Sequence, residues 1–182
     1  MNYDQLIKNW HLKASDEDYF SKYVFEYLAF IAFLKRKRFT DATSDRNAIQ
    51  RLKQDQSLKH LYLQKVEGSQ DVKRAWQNIK NELDRVRLGN VSQGDGEVEE
   101  IKWWNYSGEH LDGQSQAEQQ KIKGVIHGLD DWENMVEFWY SIRNNLFHGA
   151  KNPQDDRDRL LVENGYKSLS GLVATLIHEE NL

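Results

Sequence analysis

Between Tyr19 and Leu34 the apolar residues recur at spacings of three and four: Tyr19, Phe20, Tyr23, Val24, Tyr27, Leu28, Ile31 and Leu34. That period predicts an amphipathic α-helix. Ser15-Asp16-Glu17-Asp18 before it offers side-chain oxygens and negative charge, which suit a helix N-terminus. Lys35-Arg36-Lys37-Arg38 after it offers the positive charge that suits a C-terminus. Phe25, Phe30 and Phe33 lie off the main stripe, so the helix is apolar on more than one side. Such a helix belongs at the centre of a bundle or against a second subunit.

The pattern continues in kind. A second helix is expected from Ser44 or Asp45 to about Lys59 or beyond, using Ile49, Leu52 and Leu58, with a break at Gly68-Ser69. A third, from about Gln70 to Leu88, sets Val72, Trp76, Ile79, Leu83 and Val86 on one side and stops at Gly89-Asn90. Residues 91–115 change character: Gly94, Gly96, Gly108 and Gly113 among Ser, Gln and Asp mark a long loop or insertion, in which Val98 to Tyr106 form either a short strand or a packed turn. Helix resumes at Gln116, weakened by Gly124 and Gly128. Asp130 and Glu133, three apart, read as a capping box opening a fourth major helix, Asp131 to Phe147, with Gly149 in the left-handed position after it. Asn152-Pro153 reads as cap and first turn of a fifth helix carrying Leu160, Leu161, Leu169, Leu172, Val173, Leu176 and Ile177. Gly165 and Gly171 within it suit close helix approach. The expectation is one all-α domain over residues 1–182, an up-and-down bundle of four to five helices with an insertion around 91–115.

Composition sharpens this picture. The chain has 182 residues, 30 % of them charged and 38 % hydrophobic, with a single proline, which suits long solvent-faced helices more than many turns. Six Trp, eight Tyr and seven Phe allow a dense core despite the modest apolar fraction. With no cysteine, disulfides and thiolate metal sites are excluded. No apolar leader is evident, and Tyr19–Leu34 is too short and too charged to span a bilayer, so a cytoplasmic protein is expected. The net charge of −4 argues against a general positive field for nucleic acid. Any RNA chemistry would have to come from a local site.

One segment carries candidate chemistry: Tyr140-Ser141-Ile142-Arg143-Asn144-Asn145-Leu146-Phe147-His148-Gly149. On a helical wheel Trp132, Met135, Val136, Trp139, Ile142 and Leu146 share an apolar stripe, and Arg143 falls inside it. A buried guanidinium without partners is costly, and residues that break the local pattern tend to mark functional sites. Glu137, Ser141, Asn144 and His148 recur at spacings of four, three and four, forming a polar stripe on the same helix. Arg143 and His148 are about 140° apart around the axis, yet a long arginine can swing towards the groove a histidine faces near a helix end. An imidazole able to titrate near neutrality beside a permanent cation suits phosphodiester chemistry without a metal.

Arg143-Asn144-x-x-x-His148 resembles the R-(polar)-x-x-x-H motif of HEPN domains, and the run Ile142 to Gly149 looks like its common form. Lys151, Pro153, the mixed-charge run Asp155 to Arg159 and a long amphipathic last helix are also similar to that family. The specific likeness spans roughly residues 130 to 178; the earlier helices agree only in number and amphipathic character. The resemblance implies a metal-independent endoribonuclease without cofactor, in which the RNA 2′-hydroxyl attacks the adjacent phosphorus to leave a 2′,3′-cyclic phosphate and a 5′-hydroxyl. His148 would act as general base or acid, Arg143 would hold the phosphate and its growing charge, and Asn144 would orient His148 or substrate. Ser141, Asn145 and Lys151 are candidate substrate contacts. A composite site in a homodimer is implied, and with it a toxin or defence role under an antitoxin or other regulatory protein. The competing expectation is a non-catalytic helical dimer that binds RNA, a nucleotide or a protein partner.

Simpler readings stand beside these. His148 could be only a favourable cation at a helix end. Arg143 could pair structurally with a carboxylate from another helix, such as Glu26 or Glu82. Glu137 and Ser141 read as solvent or interface contacts more readily than as catalysts. Lys35 to Arg38 read more readily as a solvated helix end than as a phosphate track. Trp103, Trp104 and Tyr106 read more readily as pins for their loop than as base-stacking platforms. The remaining histidines show no metal-ligand spacing.

Overall fold

The computed structural model describes residues 2–15, 18–88 and 124–180, and these form seven α-helices. The expected insertion at 91–115, its Val98–Tyr106 segment with Trp103, Trp104 and Tyr106, and the helix expected from Gln116 lie outside the described residues. The helical class is as expected. The number of helices is higher, for two local reasons.

The first is α1, Tyr3–Ala14, which adds a helix ahead of those the sequence pattern predicts. Asn2 caps it, its Oδ1 accepting from the Asp4 and Gln5 N–H groups. Only Ile7 and Ala14 are fully buried, with Trp10 packed at the margin, so the apolar signal is thin. The second is a break in the expected second helix. Asp55 adopts an extended backbone between α3 (Asp45–Gln54) and α4 (Gln56–Gly68). Its Oδ1 accepts from the Leu58 N–H while Arg38 forks onto both oxygens, so one carboxylate caps α4 and anchors the chain leaving α2. No Gly or Pro announces that break.

Helix α2, Tyr19–Phe33, starts at Asp18, whose Oδ1 accepts from the Phe20 and Ser21 N–H groups. It buries Tyr23, Glu26, Tyr27, Ala29, Phe30 and Phe33, so its off-stripe Phe30 and Phe33 are core residues and the helix is central. Its continuation, Leu34–Arg38, widens into a π turn closed by the Phe39 N–H on the Leu34 carbonyl. Helix α5, Gln70–Arg85, stops three residues before the expected Leu88; the Leu88 N–H instead donates to the Gly124 carbonyl, and Gly124 has φ +79°.

Helix α6, Trp132–Phe147, does not use the expected Asp130/Glu133 box. Asp131 precedes it, fully buried, with Oδ2 accepting from the His127 N–H and the Asn134 amide. Burial lifts its carboxyl above the usual aspartate value. Glu133 points elsewhere, towards Lys59 at 3.6 Å. Helix α7, Asp156–Glu179, likewise starts later than expected, at Asp155, whose Oδ1 accepts from the Asp158 N–H. Asn152-Pro153 form the turn ahead of it, because the Asp158 carboxylate draws in the Asn152 N–H and the Lys151 ammonium and ties that turn to the helix.

Four large aromatics from α4, α5 and α6 meet at the centre. Trp139 lies 5.3 Å from Tyr62, 5.5 Å from Trp76 and 6.2 Å from Trp132 between ring centroids. Each polar handle finds a partner: Trp139 Nε1 donates to Ser168 Oγ, Trp76 Nε1 to the Tyr62 hydroxyl, Tyr62 to the Ser168 carbonyl, and Trp132 Nε1 to the Leu52 carbonyl. These bonds fix the rings' orientation as well as their burial. Helix α7 packs closely on its neighbours through its glycines. A methyl at Gly171 would come within 2.7 Å of Val72 on α5, and one at Gly165 within 3.0 Å of Tyr23 on α2. Tyr23 in turn donates to the Trp139 carbonyl, so α2, α6 and α7 are locked together.

No helix among the described residues is long and apolar enough to cross a membrane.

Candidate functional site

The wheel drawn from sequence gives α6 one buried face. In the structure the helix is buried on most sides. Asn134, Glu137, Phe138, Ser141 and Asn145, which lie away from the apolar stripe, are all buried. Glu137 is 1 % exposed, with Arg46 Nη1 on both its oxygens and Lys53 Nζ on Oε2. Lys53 itself is buried, and desolvation pulls its ammonium below the usual lysine value against the pull of Glu137. The proposed polar stripe is therefore split. Its N-terminal half is an internal ion cluster between α3 and α6, and only Asn144 and His148 remain near the surface.

The C-terminal end of α6 is closed by a Schellman motif. The Gly149 N–H donates to the Leu146 carbonyl and the Ala150 N–H to the Asn145 carbonyl, with Gly149 at φ +68°. His148 is the cap residue; its N–H donates to the Asn144 carbonyl and its side chain is exposed. The left-handed glycine ends the helix immediately after His148, so the imidazole sits at the rim and not inside the bundle.

Arg143 lies one turn earlier, with its side chain 29 % exposed. The cost of burying it is avoided because the guanidinium reaches the surface along aromatic walls, 4.7 Å from the Phe147 ring centroid and 5.8 Å from that of Tyr27. Its Nη1 donates to Asn144 Oδ1 at 2.9 Å. Asn144 thus contacts both motif partners, Arg143 through its side chain and His148 through its main chain. Among the described residues the carboxylate nearest Arg143 is Asp45, at 3.9 Å, and that residue gives its closer contact, 3.0 Å, to Lys35. Neither Glu26 nor Glu82 pairs with Arg143, because each is engaged elsewhere: Glu26 with His11, Glu82 with Arg85 and Arg157. The Tyr27 hydroxyl, buried within the electrostatic reach of Arg143, has no hydrogen-bond partner, and burial raises its pKa.

The remaining candidates fall in different environments. Ser141 is fully buried and its Oγ has no partner. Asn145 is 3 % exposed, and its carbonyl belongs to the cap. The Lys151 side chain is 5 % exposed, with its ammonium bound to Asp158. Arg143, Asn144 and His148 therefore share the surface at the end of α6, while Ser141, Asn145 and Lys151 face inward. The basic run after α2 is engaged internally: Lys35 with Asp45, Lys37 with Asp4, Arg38 with Asp55, and Arg36 over the Tyr3 ring. Phe147 and Tyr27 are site residues without a sequence signal, because their role against Arg143 depends on rotamers and on α2 crossing α6. Among the described residues no group of three or more His, Asp or Glu could hold a metal ion.

Beside this corner, the start of α2 and the end of α6 enclose a groove of about 340 Å³ lined by Phe20, Ser21, Val24, Phe25, Leu146 and Phe147. Its wall includes the Phe147 ring, which is 56 % exposed.

Compared with protein-family models, curated proteins and solved structures, the chain finds no match.

Proposed function

We propose that the chain is a metal-independent endoribonuclease that works as a homodimer, with Arg143 and His148 as its catalytic residues. The observation that carries this reading is the grouping at the end of α6. A cation whose side chain is 29 % exposed, with no carboxylate among the described residues closer than 3.9 Å, shares this helix end with an exposed imidazole and an amide residue that bonds to both. The similarity of Arg143-Asn144-x-x-x-His148 to the HEPN motif supports the same assignment.

In this mechanism Arg143 binds the scissile phosphate and offsets the charge that grows on its oxygens. His148 takes the proton from the 2′-hydroxyl as that oxygen bonds to phosphorus, or returns one to the 5′-oxygen as its bond to phosphorus breaks. The products are a 2′,3′-cyclic phosphate and a 5′-hydroxyl. Asn144 holds the guanidinium in place. Two copies facing each other would bring two such sets to one cleft, and a growth-arrest or defence role in the cytoplasm fits a cleaving activity of this kind, with an antitoxin or another regulatory protein to restrain it.

The test is incubation of the full chain with mixed RNA in EDTA, beside His148→Ala and Arg143→Ala. Cleavage leaving cyclic-phosphate ends is expected from the parent, reduced about 10²–10⁴-fold in His148→Ala. Cutting that survives either substitution refutes the assignment. One observation favours a second reading, a helical dimer that binds RNA, a nucleotide or a protein without cutting it. The net charge is −4 and the basic run Lys35–Arg38 is spent on internal partners. RNA or nucleotide bound by the purified chain but never cleaved is the outcome that selects it.

A further inference from the structure

We propose that the groove between α2 and α6 is a nucleobase subsite, which receives the base next to the phosphate held by Arg143. This rests on the nuclease reading for its phosphate and on the groove's own geometry for its base.

Three observations point to a base. The first is size. About 340 Å³ lies at the lower end of ligand-pocket volumes, large enough for one heterocycle and too small for a helix. The second is the lining. Five of its six residues, Phe20, Val24, Phe25, Leu146 and Phe147, are apolar, and three carry aromatic rings, the composition of a stacking platform. Ser21 is the one polar member; its hydroxyl donates to Asp18 Oδ2 at 2.6 Å, which leaves its oxygen as an acceptor. The third is charge. Arg143 rests 4.7 Å from the Phe147 ring centroid, and the Lys13 ammonium lies 5.9 Å from that of Phe25. A neutral heterocycle joined to a phosphate matches an apolar wall with the Arg143 cation against one of its rings. The Asp18 carboxylate beside Ser21 is occupied by the Phe20 and Ser21 N–H groups and by the Ser21 hydroxyl.

The wall is held in place before any ligand arrives. Phe25 stacks on Trp10 of α1 at 5.5 Å and 15° between planes, and Arg143 braces Phe147. Stacking is tolerant of base identity, so the selectivity expected is by area: purines over pyrimidines, since they bury more ring surface.

The probes are short oligonucleotides of one purine or one pyrimidine type, as RNA for cleavage and as DNA for binding, since DNA lacks the attacking hydroxyl. The variants are Val24→Trp, which fills the groove, and Phe147→Ala, which removes an exposed wall and leaves the core untouched. The expected result is a purine preference in KM and in DNA affinity. Both variants should weaken binding about tenfold or more and erase the preference, with helical content and oligomeric state unchanged. Cleavage with unaltered KM and preference in both variants overturns the subsite and leaves the nuclease reading standing. Binding without cleavage, lost on filling the groove, sinks the nuclease reading and upholds the subsite. Absence of any nucleotide binding overturns both. If Val24→Trp converts a dimer to a monomer while affinity holds, the groove belongs to a second copy of the chain and the subsite is overturned.

Discussion

The two halves of α6 handle charge in opposite ways. Near its middle, Glu137 and Lys53 are sealed inside the bundle as an ion pair, and the partly exposed Arg46 closes over both Glu137 oxygens. Near its end, Arg143 emerges between Tyr27 and Phe147 with no carboxylate among the described residues closer than 3.9 Å, and His148 sits on the rim. Buried charges need a complete set of partners, since an unpaired one loses several kcal/mol of hydration. A partly exposed cation keeps water as a partner and can exchange it for a ligand. The first arrangement specifies how α3 docks on α6; the second leaves capacity for binding.

The largest expected effect tests the buried half. Glu137→Ala takes the carboxylate away from the buried Lys53 and should cost about 3–5 kcal/mol in urea unfolding. A loss below about 1 kcal/mol would mean that water already reaches the cluster and that the contrast between the halves is false.

A smaller effect tests whether the same rule holds at another buried carboxylate. Glu26 is fully buried, with Oε1 2.7 Å from His11 Nδ1 and Oε2 without a partner. Its hydrogen bond raises the His11 pKa, and burial raises that of Glu26. Both shifts make the folded state bind more protons than the unfolded chain. The stability they contribute is full below the unfolded values, near 4.5 for Glu26 and 6.5 for His11, and is lost as pH rises through the raised folded values. The urea midpoint should therefore fall between about pH 6 and about pH 8, and Glu26→Gln should flatten that fall. A midpoint that rises over this range contradicts the pairing.

The smallest effect tests the exposed half. Arg143→Met keeps the stem against Tyr27 and Phe147 and removes only the charge, so stability should change by about 1 kcal/mol or less. The RNA cleavage proposed for the chain should be lost all the same. A destabilisation as large as that of Glu137→Ala would make Arg143 a structural residue and merge the two halves.

Much of the fold was legible because helices announce themselves locally. The three-and-four spacing of Tyr19–Leu34, the run through Trp76, Ile79 and Leu83, and the glycine after His148 each report a preference of a few adjacent residues. Where two signals competed, the sequence misled. Asn152-Pro153 and Asp155 both offer a cap, and the choice fell to Asp155 because Asp158 could then gather Lys151 and Asn152. Asp130/Glu133 lost to Asp131 in the same way, because Asp131 found buried donors in His127 and Asn134. In the candidate site, the motif residues and the helix end were readable, and the surroundings were not. Arg143 was singled out for breaking an apolar stripe, yet the buried ionic residue of the helix is Glu137, which looked like a surface position.

The sequence by itself determined an all-α chain, the position of the Arg143–His148 segment at a glycine-capped helix end, and the absence of thiol chemistry. These follow from spacing, caps and composition, which act within a few residues along the chain. Only the tertiary structure decided which polar residues of α6 are sealed and which face water, that Phe147 and Tyr27 flank Arg143, and that a groove opens beside them. Those outcomes depend on how α2, α3 and α7 cross α6, because burial and pairing are properties of neighbours that arrive from distant parts of the chain.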